Sequence, residues 1–329
     1  MYSKMAEQSF RYSPTVFNIF KSAGQTSYDV VRLLKKILPG DFGKIGHFGT
    51  LDPFASGVLL VGVGGAARLN ELIHEKLPKT YLAIGKLGVQ TDSGDPTSPA
   101  INFDSSEYLQ TVIAKFDKKF IEDFLRQKFL GDYWQSPPKH SATKFQGRAL
   151  HEWAREGVEI KKEAVKRVIY KIEVVKYAFP YLSVRFEVGS GTYIRTLFED
   201  CARELGTLGS LVGLVRESIG QMHMRDSLNL SRMMPRIRGL SGEEIMRQGV
   251  PIERVLKFGV IVLNEKMSFK FNNGVQLSGE DLKDCQRIGQ EIMGSHRWIS
   301  GKNSDRLLGL AEELKNGAGS LLRPLIIFS

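Results

Sequence analysis

The feature that most limits this chain is an apolar run from Gly57 to Ala67, GVLLVGVGGAA, the longest in the sequence. It is too short to cross a bilayer, which takes about 20 residues. Val58–Val63 within it reads as a buried strand. The run follows directly on HFGTLDPFASGV, His47 to Val58, in which Asp52 is the only charge between Lys44 and Arg68. A lone carboxylate at the lip of an apolar strand suits nucleophilic catalysis if something keeps it ionised. Asp before Pro is also a very common turn former, and by itself that plainer reading is favoured.

The end of the run invites a second reading. GVLLVGVGGAARLNELI places G-x-G-x-x-A after a strand and before a helix, as a dinucleotide fold does. That fold also wants an acidic residue about 20 positions on to hold the ribose. No Asp or Glu lies between Lys76 and Gln90, so a glycine-rich strand-to-helix turn is the better reading.

Along the chain, Ser27 is a candidate helix cap, followed by Val30, Leu33, Leu34, Ile37 and Leu38 at helical spacing, with Pro39-Gly40 as the stop. Ala66–Glu75 reads as a helix and Thr80–Leu87 as a short strand, with TDSGDPTSP a loop after it. Ser106–Phe129 looks like two helices broken near Asp117. Val165–Tyr177 and Tyr181–Val188 form a hairpin through Pro180. A helix starts near Thr192 with Ile194, Leu197, Phe198, Cys201, Ala202 and Leu205 on one face. A separate region of short strands starts near Phe258. Strands and helices do not alternate strictly, so the class is α+β. At 329 residues, one large domain plus a small one is expected.

Three further segments carry candidate chemistry. In GSGTYIRTLFED, Arg195 falls in the first turn of a helix beside its apolar stripe; partly buried, it needs an anion. The sequence offers few competing buried carboxylates, which makes Asp52 its economical partner. The alternative is a surface arginine or a structural ion pair. Tyr81 in PKTYLAIGKLG reads, by itself, as a core aromatic on a strand. Between Lys139 and Arg167, basic residues that include Lys139, Lys144 and Arg148 are interleaved with Trp134, Phe145 and Trp153, a combination that can grip phosphates and stack bases. The bland alternative is a solvated helix and loop with ordinary charge pairs against Glu152, Glu156, Glu159 and Glu163. Pro137-Pro138 favours a projecting element. The formal charge of +10 favours a polyanionic partner, although it also suits a merely soluble surface. Two distant cysteines, Cys201 and Cys285, define neither a disulfide framework nor a zinc site. The N-terminal MYSKMAEQSFRYS has no apolar signal core, so a cytoplasmic protein is expected.

Together these stretches resemble the TruB family of tRNA pseudouridine synthases over nearly the whole chain. HFGTLDPFASGVL resembles the family's catalytic segment, KTYLAIGKLGVQTDSGD its second signature, QSPPKHSATKFQGRALHEWAREG its RNA-gripping thumb insertion, and GSGTYIRTLFEDCARELGTLGSL its third signature. The tail RLLGLAEELKNGAGSLLRPLIIF is similar to a PUA domain, a small β-rich RNA-binding module. The resemblance implies a catalytic domain over residues 1–252 with a mixed, largely antiparallel sheet flanked by helices, a thumb at about 133–158, and a PUA-like domain over 253–329. It departs from the family at Leu214-Val215-Arg216, where Leu-Arg-Arg is usual, and at His140 and His151, where aromatics are commoner.

The activity so implied is isomerisation of uridine 55 in the tRNA T arm to pseudouridine, with no cofactor and no metal. The partner is tRNA, no membrane is involved, and a monomer is expected. Asp52 matches the catalytic aspartate, Tyr81 the tyrosine that stacks on the target base, and Arg195 the arginine that pairs with the aspartate. His47 matches the histidine that enters the space of the flipped nucleotide, Leu214 an apolar pocket residue, and Tyr193 lies near the substrate. Flipping the base costs a few kcal/mol, which a residue filling the stack offsets in part. Burial pushes a carboxylate toward neutrality, and an arginine opposes that. Whether Asp52 attacks the base or the ribose is left open by the sequence. The competing readings are a non-catalytic tRNA-binding or tRNA-folding protein on the same scaffold, a guide-RNA-dependent relative, which the thumb-like insertion disfavours, and a dinucleotide-dependent enzyme, which the absent acidic residue disfavours.

Overall fold

The computed structural model describes residues 14–38, 40, 42–158, 160, 162–232, 239–289, 294–302, 307–316 and 319–328. The readings of the N-terminal 13 residues and of Pro39 fall outside them, as do Glu159 and parts of the tail. Among the described residues no helix is long and apolar enough to cross a membrane.

The apolar run forms strand β3 (Ser56–Val63), buried along almost its whole length. β1 (Thr15–Lys21) pairs with it antiparallel, from Thr15 opposite Val63 to Lys21 opposite Gly57. Successive side chains of a strand point to opposite faces, and both faces of β3 are covered, so from Gly57 on it carries no polar residue. Leu59, Val61 and Val63 enter one core with Phe17 and Ile19 of β1 and with Val30, Val31 and Leu34 of helix α1 (Ser27–Ile37). Val58 and Leu60 enter the opposite core.

The other edge of β3 is shared. β2 (Ile45–His47) occupies it at one end, His47 opposite Val61. Strand β12 (Gly209–Ile219) takes it over at the other, running parallel with Val215 opposite Ser56 and Arg216 opposite Gly57. The loop 48–55 joins β2 to β3 at this change of partner. Gly57 has φ +116°, and a Cβ there would lie 2.2 Å from the Arg216 carbonyl oxygen. Only glycine satisfies both the dihedral and the approach.

Beyond β12 the sheet continues through β4 (Lys79–Leu87), β11 (Tyr181–Val188), β10 (Val165–Ala178) and β7 (Gly131–Gln135), all antiparallel. The hairpin expected through Pro180 is present. Two helices cover this half, α4 (Lys118–Phe129), capped by Asp117, and α6 (Ile194–Glu204). Phe198 of α6 lies where a Cβ on Gly85 of β4 would be, 2.0 Å away, so the helix sits close on the sheet.

Three expectations need correction. The cap of α1 is Thr26, which forms a capping box with Asp29. Ser27 is instead buried, and its hydroxyl bonds the Leu51 backbone N–H (2.9 Å) and carbonyl (3.2 Å). Ala66–Glu75 is not one helix: a tight 3₁₀ segment, Gly64–Leu69, precedes α2 (Asn70–Lys76). The projecting insertion begins after Gln135 rather than at Tyr133, because 131–135 is the edge strand of the main sheet. Tyr133 is buried and hydrogen bonded to Asp200.

The C-terminal region forms a second, five-stranded sheet that starts at Gly259. It shares a core with the large sheet: Trp298, Leu310 and Phe328 pack with Val16, Val58 and Leu60. The Trp298 indole N–H donates to Leu256 O (2.9 Å), and Arg68 donates to Ile327 O (2.7 Å). Strands, a flanking set of helices and a β-rich C-terminal unit make the architecture α+β.

Gly57→Ala is expected to destabilise the fold by on the order of 3 kcal/mol, since the added methyl meets backbone that a side-chain shift cannot relieve. Urea and thermal unfolding read this directly; an unchanged midpoint would refute the account of the β3–β12 junction.

Candidate active site

The loop 48–55, strand β4, the start of α6, strand β12 and residues 140–143 and 151 of the insertion line a cleft of ≈ 540 Å³. Asp52, Tyr81, Tyr193, Arg195 and Leu214 all line it. Residues scattered over the sequence therefore converge on one space.

The loop itself is held before any substrate arrives. Ser27 ties down Leu51 from α1. The ammonium of Lys21, 0% exposed, donates to Ala55 O (2.6 Å), Gln25 O (2.7 Å) and Ser22 O (3.1 Å). Burial and the nearby Arg216 pull the pKa of Lys21 down to about 8. Arg216, 1% exposed, donates from Nε to Val58 O (2.7 Å), from Nη2 to Gly49 O (3.1 Å) and from Nη1 to Thr50 O (3.3 Å). The Asp52 carbonyl accepts from Ala55 N at 3.1 Å, closing a turn through Pro53.

Arg195 emerges from the first turn of α6 and is 5% exposed. Its Nε donates to Asp52 Oδ2 at 3.0 Å. Nη1 donates to Ser93 O (2.8 Å), and Nη2 to His140 O (3.1 Å). Nη1 also lies 3.4 Å from Asp95 Oδ2. Asp52 is thus not the single partner expected. Asp95, in the TDSGDPTSP loop, is buried and fixed by Ser93 Oγ (2.7 Å) and Thr97 N (2.9 Å). The arginine fork bridges two carboxylates of unequal exposure. The Asp52 side chain keeps 35% of its surface exposed, against 6% for that of Arg195.

A third carboxyl approaches from behind. Glu199, one turn along α6, lies against Gly94, its Oε1 2.8 Å from where a Cβ there would be. Burial raises its pKa to about 7, against the opposing pull of Arg195 and Arg203.

Tyr81 is buried on β4, its hydroxyl 3.5 Å from Arg216 Nη1 and its ring centroid 6.0 Å from that guanidinium. Tyr193 precedes α6; its backbone is clamped by Gln135 (2.8 and 2.9 Å), and its hydroxyl pairs with Thr143 at 2.9 Å. Leu214 is buried on β12. His47 does not line the cleft; it sits on β2 with Nδ1 buried and unpaired among the described residues. Burial and Arg216 hold its pKa below 6.5, which favours the neutral imidazole.

None of Lys139, Lys144 and Arg148 lines the cleft either. Lys139 pairs with Asp92, which also bonds His140 Nε2 at 2.8 Å. Arg148 stacks over Trp153 (4.4 Å to the ring centroid) and pairs with Glu156. For Arg148 the ordinary charge pair weighed from the sequence is present; Lys139 instead finds Asp92, outside the acids weighed. Lys144 is exposed.

Sequence reasoning overlooked Lys79, His74 and Asp95, and named Arg216 only within the Leu214-Val215-Arg216 stretch without giving it a role. Strand parity is the signal that finds two of them. Lys79 stands two residues from Tyr81 on β4, and Arg216 two from Leu214 on β12, so each shares its neighbour's face.

The fold is one already known among solved structures. It matches the chain titled as a Cbf5–Nop10–Gar1 complex with a TM-score of 0.68 at 22% identity, covering 98% of this chain and 85% of that one. A second match is titled as an archaeal box H/ACA Nop10–Cbf5 complex, with TM-score 0.66, 20% identity and coverage of 98% and 87%. A sequence model described as TruB family pseudouridylate synthase, N-terminal domain, matches residues 35–194, the stretch that holds Asp52 and Tyr81. The matched segment points to the pseudouridylate synthases. Full-length relatives narrow this. The tRNA pseudouridine synthase B of Caldicellulosiruptor saccharolyticus is 34% identical over 86% of this chain and 90% of its own. Those of Clostridium tetani (32%; 92% and 96%) and Thermotoga maritima (33%; 91% and 90%) extend further along this chain. The chain belongs to the TruB family.

Glu199 generates a prediction. A carboxyl whose pKa is raised on folding stabilises the fold at low pH, and that contribution is lost as pH rises through the folded value. Stability should therefore fall between about pH 4.5 and pH 7 by on the order of 1–3 kcal/mol, a loss absent from Glu199→Gln. Parallel pH–stability curves for the two proteins would refute this.

Proposed function

We propose that this protein isomerises uridine 55 in the T arm of tRNA to pseudouridine, with Asp52 as nucleophile. The observation that carries the reading is the Asp52–Arg195 pair, set in a cleft whose other wall presents Tyr81. A flipped uracil would stack on the Tyr81 ring, and Leu214 would bound it on the apolar side. Arg195 keeps Asp52 aimed. The part-exposed carboxylate is open to a substrate, as a nucleophile must be. His47, five residues upstream on β2 and neutral, would fill the stack vacated by the base. Being outside the cleft suits that role, since the gap it fills lies in the RNA and not in the pocket.

The insertion after Gln135 would act as the thumb that grips the T arm, with exposed Lys144 on phosphate. Lys139 and Arg148 can add to that grip only by giving up their present partners. The relatives' name, tRNA pseudouridine synthase, supports tRNA as the partner, as does the net charge of +10. The C-terminal sheet, from about residue 253, is read as a PUA-like RNA-binding unit. The chain would act as a cytoplasmic monomer without a cofactor.

The deciding experiment is carbodiimide labelling of unmodified tRNA after incubation with the protein. Wild type should convert uridine 55. Asp52→Asn should bind tRNA within roughly threefold of wild type and form no product, a loss of order 10⁴-fold or more for a missing nucleophile. Product from that variant would refute the role of Asp52. Removing 137–157 and bridging the ends should weaken tRNA binding by roughly tenfold or more, since phosphate contacts dominate affinity, and flatten its salt dependence. An unchanged dissociation constant would refute the thumb assignment.

A further inference from the structure

Arg195 has little left to offer a substrate. Four of its N–H groups face Asp52, Asp95, Ser93 O and His140 O. Across the cleft stand two other cations, Arg216 and Lys79. Lys79 is 4% exposed. Its ammonium donates to His74 O (2.9 Å) and Leu77 O (3.1 Å), leaving one N–H. Arg216 likewise keeps one Nη2–H after its bonds to Gly49, Thr50, Val58 and Tyr81. Neither forms an ion pair with a carboxylate among the described residues. Two buried like charges without an acid are costly in the free protein. Burial and Arg216 pull the pKa of Lys79 down to about 8, a sign of that cost. His74 beside them is held neutral by burial and by Lys79, so it supplies no compensating charge.

We propose that Arg216 and Lys79 form a catalytic subsite that takes up the negative charge of the uracil once it is detached. This rests on the isomerase reading above. As the Asp52 carboxylate bonds C1′, the N1–C1′ bond breaks heterolytically and its electron pair leaves with the base, spread over N1, O2 and O4. When C5 then bonds C1′ with a pair from the base, the Asp52–C1′ bond breaks and its pair returns to the carboxylate, C5 loses its proton and N1 gains one. Nothing is oxidised or reduced and no co-reactant enters. The base is the anion that fits the location. A backbone phosphate stays with the strand at the mouth of the cleft, whereas these two cations are nearly sealed beneath it. They also adjoin Tyr81, on which the base would stack, with the Arg216 guanidinium 6.0 Å from the ring centroid. Fixed donors aimed at developing charge in a poorly hydrated site are a large source of rate.

Lys79 also caps the last carbonyls of α2, and a purely structural role must be separated from a catalytic one. The test measures single-turnover loss of the N-linked nucleoside at the target position. It uses the full chain, as wild type, Lys79→Met and Lys79→Arg, on tRNA carrying either uridine or 5-fluorouridine. Fluorine makes the departing base a weaker base that needs less help. Lys79→Met should slow uridine by about 100-fold, should slow 5-fluorouridine severalfold less, and should leave the tRNA dissociation constant within about twofold. Lys79→Arg should recover most of the rate. Equal losses on both substrates, or a defect confined to binding or to the melting temperature, would overturn the subsite. Wild type inert on both would sink the isomerase reading, and the subsite with it.

Discussion

Everything in the cleft depends on how the loop 48–55 is held, and it is held by buried cations. Arg216 enters from β12 and gathers the carbonyls of Gly49, Thr50 and Val58; Lys21 enters from β1 and gathers Ala55 and Gln25. A loop that turns away from a strand leaves carbonyls without ladder partners, and buried carbonyls must find donors. Cationic side chains meet that need while adding positive potential under the loop. Fixing the backbone and placing positive charge beneath Asp52 are thus one device. Its cost is desolvation of the cations, visible in the lowered pKa of Lys21.

Arg195 adds direction to this bias. Its fork reaches Asp52 and Asp95 at once, and its remaining bonds to Ser93 O and His140 O join the loop after β4 and the base of the insertion to the same group. The buried Asp95 keeps the guanidinium in place; the part-exposed Asp52 is the carboxylate that can leave it. Glu199 completes the arrangement from the far side. With burial favouring its protonated form near neutral pH, it packs behind the arginine without competing fully for its charge. Bringing three acids to one arginine is tolerable because their environments differ.

The fold was legible where its elements announce themselves by period and by punctuation. β3, the β10–β11 hairpin, α6 and the late start of the C-terminal sheet all follow from apolar patterning. The cap of α1 was misplaced by one residue because Thr26 and Ser27 are chemically equivalent candidates; only the structure shows Ser27 serving the loop instead. The 3₁₀ segment at Gly64–Leu69 was hidden because apolar spacing scarcely distinguishes it from an α-helix over one turn. In the site, Asp52, Tyr81 and Arg195 were found through the resemblance, since each has a commoner use as turn, core or ion pair. Lys79 and Arg216 were legible by strand parity and passed over, because a lysine or arginine in a strand normally reads as a solvent-facing residue. Asp95 was not legible at all: nothing in a loop rich in Asp, Ser and Thr marks which carboxylate turns inward.

The turn-forming and charge-pairing uses of Asp52 coexist in the geometry. Its carbonyl closes a turn with Ala55 N, and its carboxylate meets Arg195. The two uses draw on different atoms of one residue. The turn is what presents the side chain. Pro53 fixes the chain direction just after it, and Leu51, pinned to Ser27, fixes the direction just before. A carboxylate set on so short and so tightly bonded a turn has few rotamers to lose when substrate arrives, which is the condition under which positioning contributes to rate. Asn at position 52 would keep the turn and lose the charge, so the plain reading and the functional one are separable by a single substitution.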